Sequence, residues 1–217
     1  MKADRAEGKT MMQRRLSATL FVLILAIPLC STAVASPTDV LREPLDQAIL
    51  ILKDPKYQSD DPGLKAEQRD KIWDLVGSQF DFTEISRRAL ARNWKSFSAE
   101  EQKAFATVFA KMLGNIYVER IQSGFAGQKV EFADEIMHET KPLAIVKTFI
   151  VDDQTKIPVD YSLKKTNDQW RVYDVKVEGV SLVKNYRTQF NDILRKEKPA
   201  ELIERLKSKV AEQDAAG

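Results

Sequence analysis

The chain has 217 residues, 34 Lys and Arg against 32 Asp and Glu, and a formal net charge of +2. It contains one cysteine and one histidine, which excludes an internal disulfide and a Cys/His metal set. With charge so nearly balanced and no basic run, nothing favours nucleic acid as a partner; a monomer is expected.

Residues 1–15 carry Lys2, Arg5, Lys9, Arg14 and Arg15, residues 16–29 are almost wholly apolar, and Ala33-Val34-Ala35 is a small-x-small site. This pattern predicts a signal peptide over residues 1–35, cleaved after Ala35, and export to the periplasm. The apolar run is too short for a comfortable membrane span, which needs about 20 residues. A lipoprotein reading through Cys30 is disfavoured by bulky Leu29 before it. Cleavage leaves residues 36–217 as one domain without cysteine, so the core alone must hold the fold.

From Thr38 to Gly124 the apolar period is helical. Residues 54–63 (DPKYQSDDPG) form a turn-rich connection between a first helix and one over about 64–79. Asp81 precedes Glu84 by three residues and Ser98 precedes Glu101 by three, so each pair is a candidate reciprocal helix start. The helix opened by Ser98 carries Phe105, Val108, Phe109, Met112, Leu113, Ile116 and Tyr117, a broad stripe ending before Gly124.

From about Lys129 the period becomes two. Strands are expected over 129–137, 143–151, 156–164 and 170–178, with Thr166-Asn167-Asp168 as the last turn between them. In the last strand Tyr173, Val175 and Val177 alternate with Asp174, Lys176 and Glu178, as in a strand with one covered face. Gly179 marks a backbone turn with positive φ, and Ser181 caps a helix bearing Tyr186, Phe190, Ile193 and Leu194. A final helix is opened by Pro199 and carries Leu202, Ile203, Leu206 and Val210, with a charged tail after about 210.

Helices followed by successive strands indicate an α+β fold, a curved antiparallel four-stranded sheet against a helical layer, whose apolar face either packs directly on the helices or encloses an apolar cavity. Pro158 inside the third strand suits an edge or bulge and hence curvature. On this register Ile145, Phe149, Ile157, Val159, Tyr161, Tyr173, Val175 and Val177 supply the apolar wall. A catalytic site is not expected. His138 stands in a polar turn, and alternation puts Asp160 and Tyr161, like Tyr173 and Asp174, on opposite faces, so neither pair makes the acid and oxyanion donor of an isomerase. There is no GxGxxG, P-loop or nucleophile elbow, and no cofactor or metal is expected.

Three segments, FDFTEISRRALARNWKSFSAEEQKAF (80–105), IPVDYSL (157–163) and WRVYDVKVEGVSLVKNYRTQF (170–190), resemble the MlaC or toluene-tolerance family of periplasmic phospholipid-binding proteins. The resemblance covers nearly all of residues 36–217. It implies a non-enzymatic carrier that holds phospholipid tails and exchanges them between an inner-membrane ABC lipid transporter complex and an outer-membrane lipoprotein/porin complex, maintaining outer-membrane lipid asymmetry. The lipid-contacting set expected on that basis is Phe109, Met112 and Ile116 from the long helix, with Ile145, Phe149, Ile157, Val159, Tyr161, Val172, Tyr173, Val175 and Val177 from the sheet. The charged tail departs from the family pattern, and nothing in the chain names the cargo. Another lipid such as a hopanoid, or an isomerase-like enzyme on a cone-shaped α+β fold, are the alternatives.

Overall fold

Residues 35–216 are described by a computed structural model; the expected signal segment, with Cys30, lies outside the described residues. Helix α1 (Pro37–Lys53) starts in a complete capping box, Ser36 and Asp39 each accepting from the other's backbone N–H at 3.1 Å. A 3₁₀ turn at Pro55–Tyr57 leads to α2 (Pro62–Gly77), whose first turn is capped by Asp61 through the Leu64 N–H. Helix α3 (Phe82–Leu90) and a 3₁₀ turn at Ala91–Ser96 precede the long α4 (Ala99–Gly124).

Both expected starts exist, but only that of α4 is reciprocal. Ser98 and Glu101 exchange both bonds, whereas Asp81 accepts from the Glu84 N–H at 2.8 Å and receives nothing back from the glutamate. The Glu84 carboxylate is taken instead by Arg87 and Arg88, at 2.6–2.9 Å, with Lys164 at 3.8 Å. Burial pushes that carboxyl up, and the hydrogen bonds from the two arginines outweigh it and hold it below its ordinary value. Glu84 is thereby a buried anchor joining α3 to the sheet.

The sheet runs β1 (Lys129–Met137), β2 (Leu143–Val151), β3 (Lys156–Thr166), β4 (Gln169–Val177) and β5 (Val180–Ser181), all antiparallel neighbours in that order. The class is the α+β expected, with five strands rather than four, because the chain turns at Glu178-Gly179 and pairs two residues back onto β4. Asn167 and Asp168 at φ 49° and 60°, and Glu178 and Gly179 at φ 50° and 80°, make two-residue hairpin loops whose left-handed backbone matches strand twist. Pro158 is not on an edge strand. Its carbonyl accepts from the Glu178 N–H at 3.0 Å, so its nitrogen faces the end of β4, where no ladder donor is needed.

Two bulges bend the sheet, one between Phe132 and Glu135 in β1 and one in β4, where Ser162 opposes Asp174 but Leu163 opposes Val172. Tyr173 is the extra residue. It breaks the simple alternation, so Trp170 and Val172 before it share a face with Val175 and Val177 after it. Next to Val172 the segment Gln79–Asp81 closes the outer edge of β4, with Asp81 donating to the Val172 carbonyl and Val172 to Gln79.

Helix α1 lies on that inner face, Leu41 packing with Ala144, Val146, Leu163, Trp170 and Val172. A second core fills the space between α3, α4, α5 (Leu182–Ile193) and α6 (Pro199–Ala216) with Phe97, Phe105, Phe109, Phe190 and Leu202. Helix α6 continues through the charged stretch, where Asp214 accepts from Lys111 at 2.5 Å and Asn115 at 2.9 Å and fastens it to α4. A third cluster joins α1, α2 and α4 through Ala48, Leu52, Ile72 and Val118. Each fully buried aliphatic or aromatic side chain contributes about 1.5–3 kcal/mol.

Candidate functional site

Between these three clusters is a cavity of about 490 Å³ that opens to solvent. Helix α1 brings Leu45, Ala48, Ile49 and Leu52 to it, a spacing of three and four that keeps all four on one stripe. Helix α2 brings Ile72, Trp73 and Val76, and α4 brings Leu113, Tyr117, Val118 and Ile121. From the sheet come Val130, Ile150, Ile157, Val159, Tyr161, Val175 and Val177, and Phe80, Phe82 and Ile85 close the inner end. Trp73 reaches its place through a notch in the helices. A Cβ built on Gly114 would lie 2.9 Å from its indole ring and one on Gly77 3.2 Å from it, so two glycines let α2 and α4 close on the ring.

Of the expected residues, Ile157, Val159, Tyr161, Val175 and Val177 are on this wall. The others are elsewhere. Phe109 and Met112 belong to the packed helical core and Ile116 lies against it, because α4 has two apolar faces and presents the other one to the cavity. Ile145 and Phe149 are on the far side of β2, whose inner set is Ala144, Val146, Thr148 and Ile150; one residue of register exchanges the faces. Val172 is fully buried beside Leu41 and Trp170, and bulged Tyr173 stacks under the Arg88 guanidinium at 3.9 Å. The α1 and α2 contributions were absent from the sequence expectation, although the 45, 48, 49, 52 spacing carried the signal.

Polar groups at the cavity are few. Burial pushes the Tyr161 phenol up to about 12. Asp174 accepts from Ser181 Oγ at 2.6 Å and from the Val183 N–H at 3.0 Å, capping α5. Asp152 accepts from the N–H groups of Gln154 and Thr155 at 2.9 and 2.7 Å, which holds its carboxyl below the ordinary value. His138 is exposed in the β1–β2 turn, where its Nδ1 accepts from the Thr140 N–H at 3.3 Å. Among the described residues no group of His, Cys, Asp and Glu side chains is arranged to hold a metal, and no helix is long and apolar enough to cross a membrane. What the arrangement offers chemically is an apolar volume with a polar rim.

The MlaC protein family profile matches residues 42–208. This chain belongs to the MlaC family. A curated relative, the toluene tolerance protein ttg2D of Pseudomonas putida, is 23% identical over 179 residues, covering 82% of this chain and 81% of the relative. A solved structure, the phospholipid-binding protein from Ralstonia solanacearum in complex with a phospholipid, superposes with a TM-score of 0.69 at 21% identity, covering 83% of this chain and 99% of that one. The MlaC fold is thus the five-stranded sheet with helices on its inner face, and the apolar cavity lies within the matched residues.

Proposed function

We propose that this protein is a periplasmic carrier that shelters phospholipid tails in the cavity between α1, α2, α4 and the sheet. The observation that carries the reading is a volume of about 490 Å³ with an almost wholly apolar wall that opens to solvent. Such a surface left to water is unfavourable by about 25 cal/mol per Å², and soluble proteins keep open apolar clefts of this size for apolar ligands. The Ralstonia solanacearum protein, named for phospholipid binding, and membership of the MlaC family support phospholipid as the cargo. The charge pattern of residues 1–35 supports export.

The volume also bears on how loading occurs. An apolar void of about 150 Å³ holds one benzene, so about 490 Å³ corresponds to roughly 20 carbon atoms. Two ordinary acyl chains carry about 30 methylenes, and their transfer from water is favourable by on the order of 20 kcal/mol. One tail fits; the second enters only as α1 moves off the sheet. Release is slow for the same reason, which is why an acceptor must open the cavity. Exchange then runs between an inner-membrane ABC transporter complex and an outer-membrane lipoprotein/porin complex, and preserves outer-membrane lipid asymmetry. No catalytic group takes part: the cavity's acids are occupied in capping α5 and the β2–β3 turn.

Mass spectrometry of an organic extract of the purified protein is expected to return phospholipid near one molecule per chain. Labelled phospholipid should then move between donor and acceptor vesicles carrying the partner complexes, and His138→Ala should not slow it. A protein that purifies without lipid and takes none up from vesicles overturns the reading.

A further inference from the structure

We infer that Arg120 is a head-group phosphate contact at the cavity mouth and gives the carrier a preference for phosphate-bearing lipids over neutral ones; this rests on the carrier reading above. Arg120 stands on the last turns of α4, borders the cavity beside Ile121 and Gly124, and is exposed. Its guanidinium lies 5.8 Å from the Tyr117 ring, a contact that steadies the side chain without using its N–H donors. No carboxylate comes within 4.0 Å of it among the described residues; the lining's lysine, Lys129 at the start of β1, is likewise unpaired there but is a point charge rather than a planar fork of donors.

The acids of the same lining are already committed. One oxygen of Asp174 accepts from Ser181 Oγ, the cap of α5, and the other from the Val183 N–H, while Asp152 Oδ1 is held by its own turn and Oδ2 accepts from Gln128 at 3.4 Å. The mouth therefore presents an uncommitted fork of donors and no uncommitted carboxylate. A lipid whose tails lie against Ile157, Val159 and Val175 must leave its polar end at this rim. A phosphodiester there meets a guanidinium whose planar N–H pairs fit two phosphate oxygens. The C-terminal end of α4 opposes an anion with about half a charge, which is less than the whole charge on Arg120, and Gln128 partly caps it by donating to the Gly124 carbonyl at 3.4 Å.

The test loads the full chain from vesicles holding equal amounts of phosphatidylglycerol and diacylglycerol with the same acyl chains, and weighs the lipids recovered on the protein. The wild-type chain is expected to hold more phosphatidylglycerol than diacylglycerol. Arg120→Gln should lower that ratio about threefold with total tail occupancy unchanged, the size of an exposed charge contact. Arg120→Lys should retain part of the preference and Arg120→Glu should reverse it. An unchanged ratio in Arg120→Gln at normal occupancy overturns the assignment and leaves the carrier reading standing. Wild-type protein that takes up neither lipid removes both. Loss of the preference on adding micromolar inorganic phosphate would also overturn it, by making Arg120 a free-phosphate site.

Discussion

Helix α4 has two apolar faces that end in opposite physical situations. One carries Phe105, Phe109 and Met112 into a filled core, where the rings of Phe105, Phe109 and Phe190 meet at centroid separations of 5.1–5.4 Å and both phenylalanines of α4 are 0% exposed. The other carries Tyr117 and Ile121 to the cavity, where Ile121 is 47% exposed and Val177 across from the sheet 42%. Composition does not separate the two faces. What separates them is whether the facing element supplies interdigitating side chains: α5 and α6 do, and the sheet, bent away by bulges in β1 and β4, does not. A vacancy in an otherwise well-packed protein is a maintained feature, since closing it would gain dispersion and burial energy.

The sharpest way to break the comparison is to empty the filled face. Phe109→Ala should destabilise by about 3–5 kcal/mol through the cavity it leaves, lowering Tm by about 10 °C for a domain of this size. Calorimetry checks it, and a shift of only a degree or two would mean that this face, too, is loosely packed.

Next in size is the anchor behind the core. Glu84→Gln removes the charge that holds Arg87 and Arg88 and should cost about 2 kcal/mol at neutral pH. The folded carboxyl is depressed below its ordinary 4.5, so its contribution is complete above that value and is lost as pH falls through the lower folded one. The Tm gap between wild type and Glu84→Gln should therefore be constant from pH 7 to about 5 and close in acid. A gap that widened in acid would reverse the sign of the argument.

The element order, the α4 capping box, the Ser181 cap and the left-handed Gly179 turn were legible because each rests on local chemistry with a fixed spacing. The wall was half legible. Ile157, Val159 and Tyr161 precede any irregularity in β3, so alternation sufficed for them. Ile145 and Phe149 were put on the wrong face although Lys147, which shares their side of β2, marks that side as the outer one; the apolar residues on both faces of the strand hid the signal. Tyr173 went astray through a one-residue bulge with no sequence mark, whereas Val172 is on the inner face but is covered by Leu41 of α1. Phe109 and Met112 failed for a different reason: a helix with two apolar faces does not say which of them meets which neighbour.

A smaller effect should follow from moving the wall of the cavity without touching the core. Gly114→Ala gains about 1 kcal/mol of helix propensity but drives a methyl to 2.9 Å from the Trp73 ring, an overpacking that costs about 1–3 kcal/mol. The net loss should be about 1 kcal/mol, with the indole displaced and lipid occupancy changed. Tryptophan fluorescence and lipid mass spectrometry read the two consequences separately. A stabilised variant with unaltered emission would mean that α2 and α4 can part without strain.

The smallest expected change in stability falls on the rim. Val177 is the last ladder residue of β4 and is already 42% exposed, so Val177→Asp should alter folding free energy by no more than about 0.5 kcal/mol. The effect on function should be out of proportion to that. In the empty protein the carboxylate can remain hydrated, whereas with tails in place it loses water without gaining a partner, a penalty of at least a few kcal/mol. Lipid occupancy should then drop while Tm measured on the delipidated protein stays put. Equal loss of both would show that the rim is structural, and the contrast between the two faces of α4 would lose its functional half.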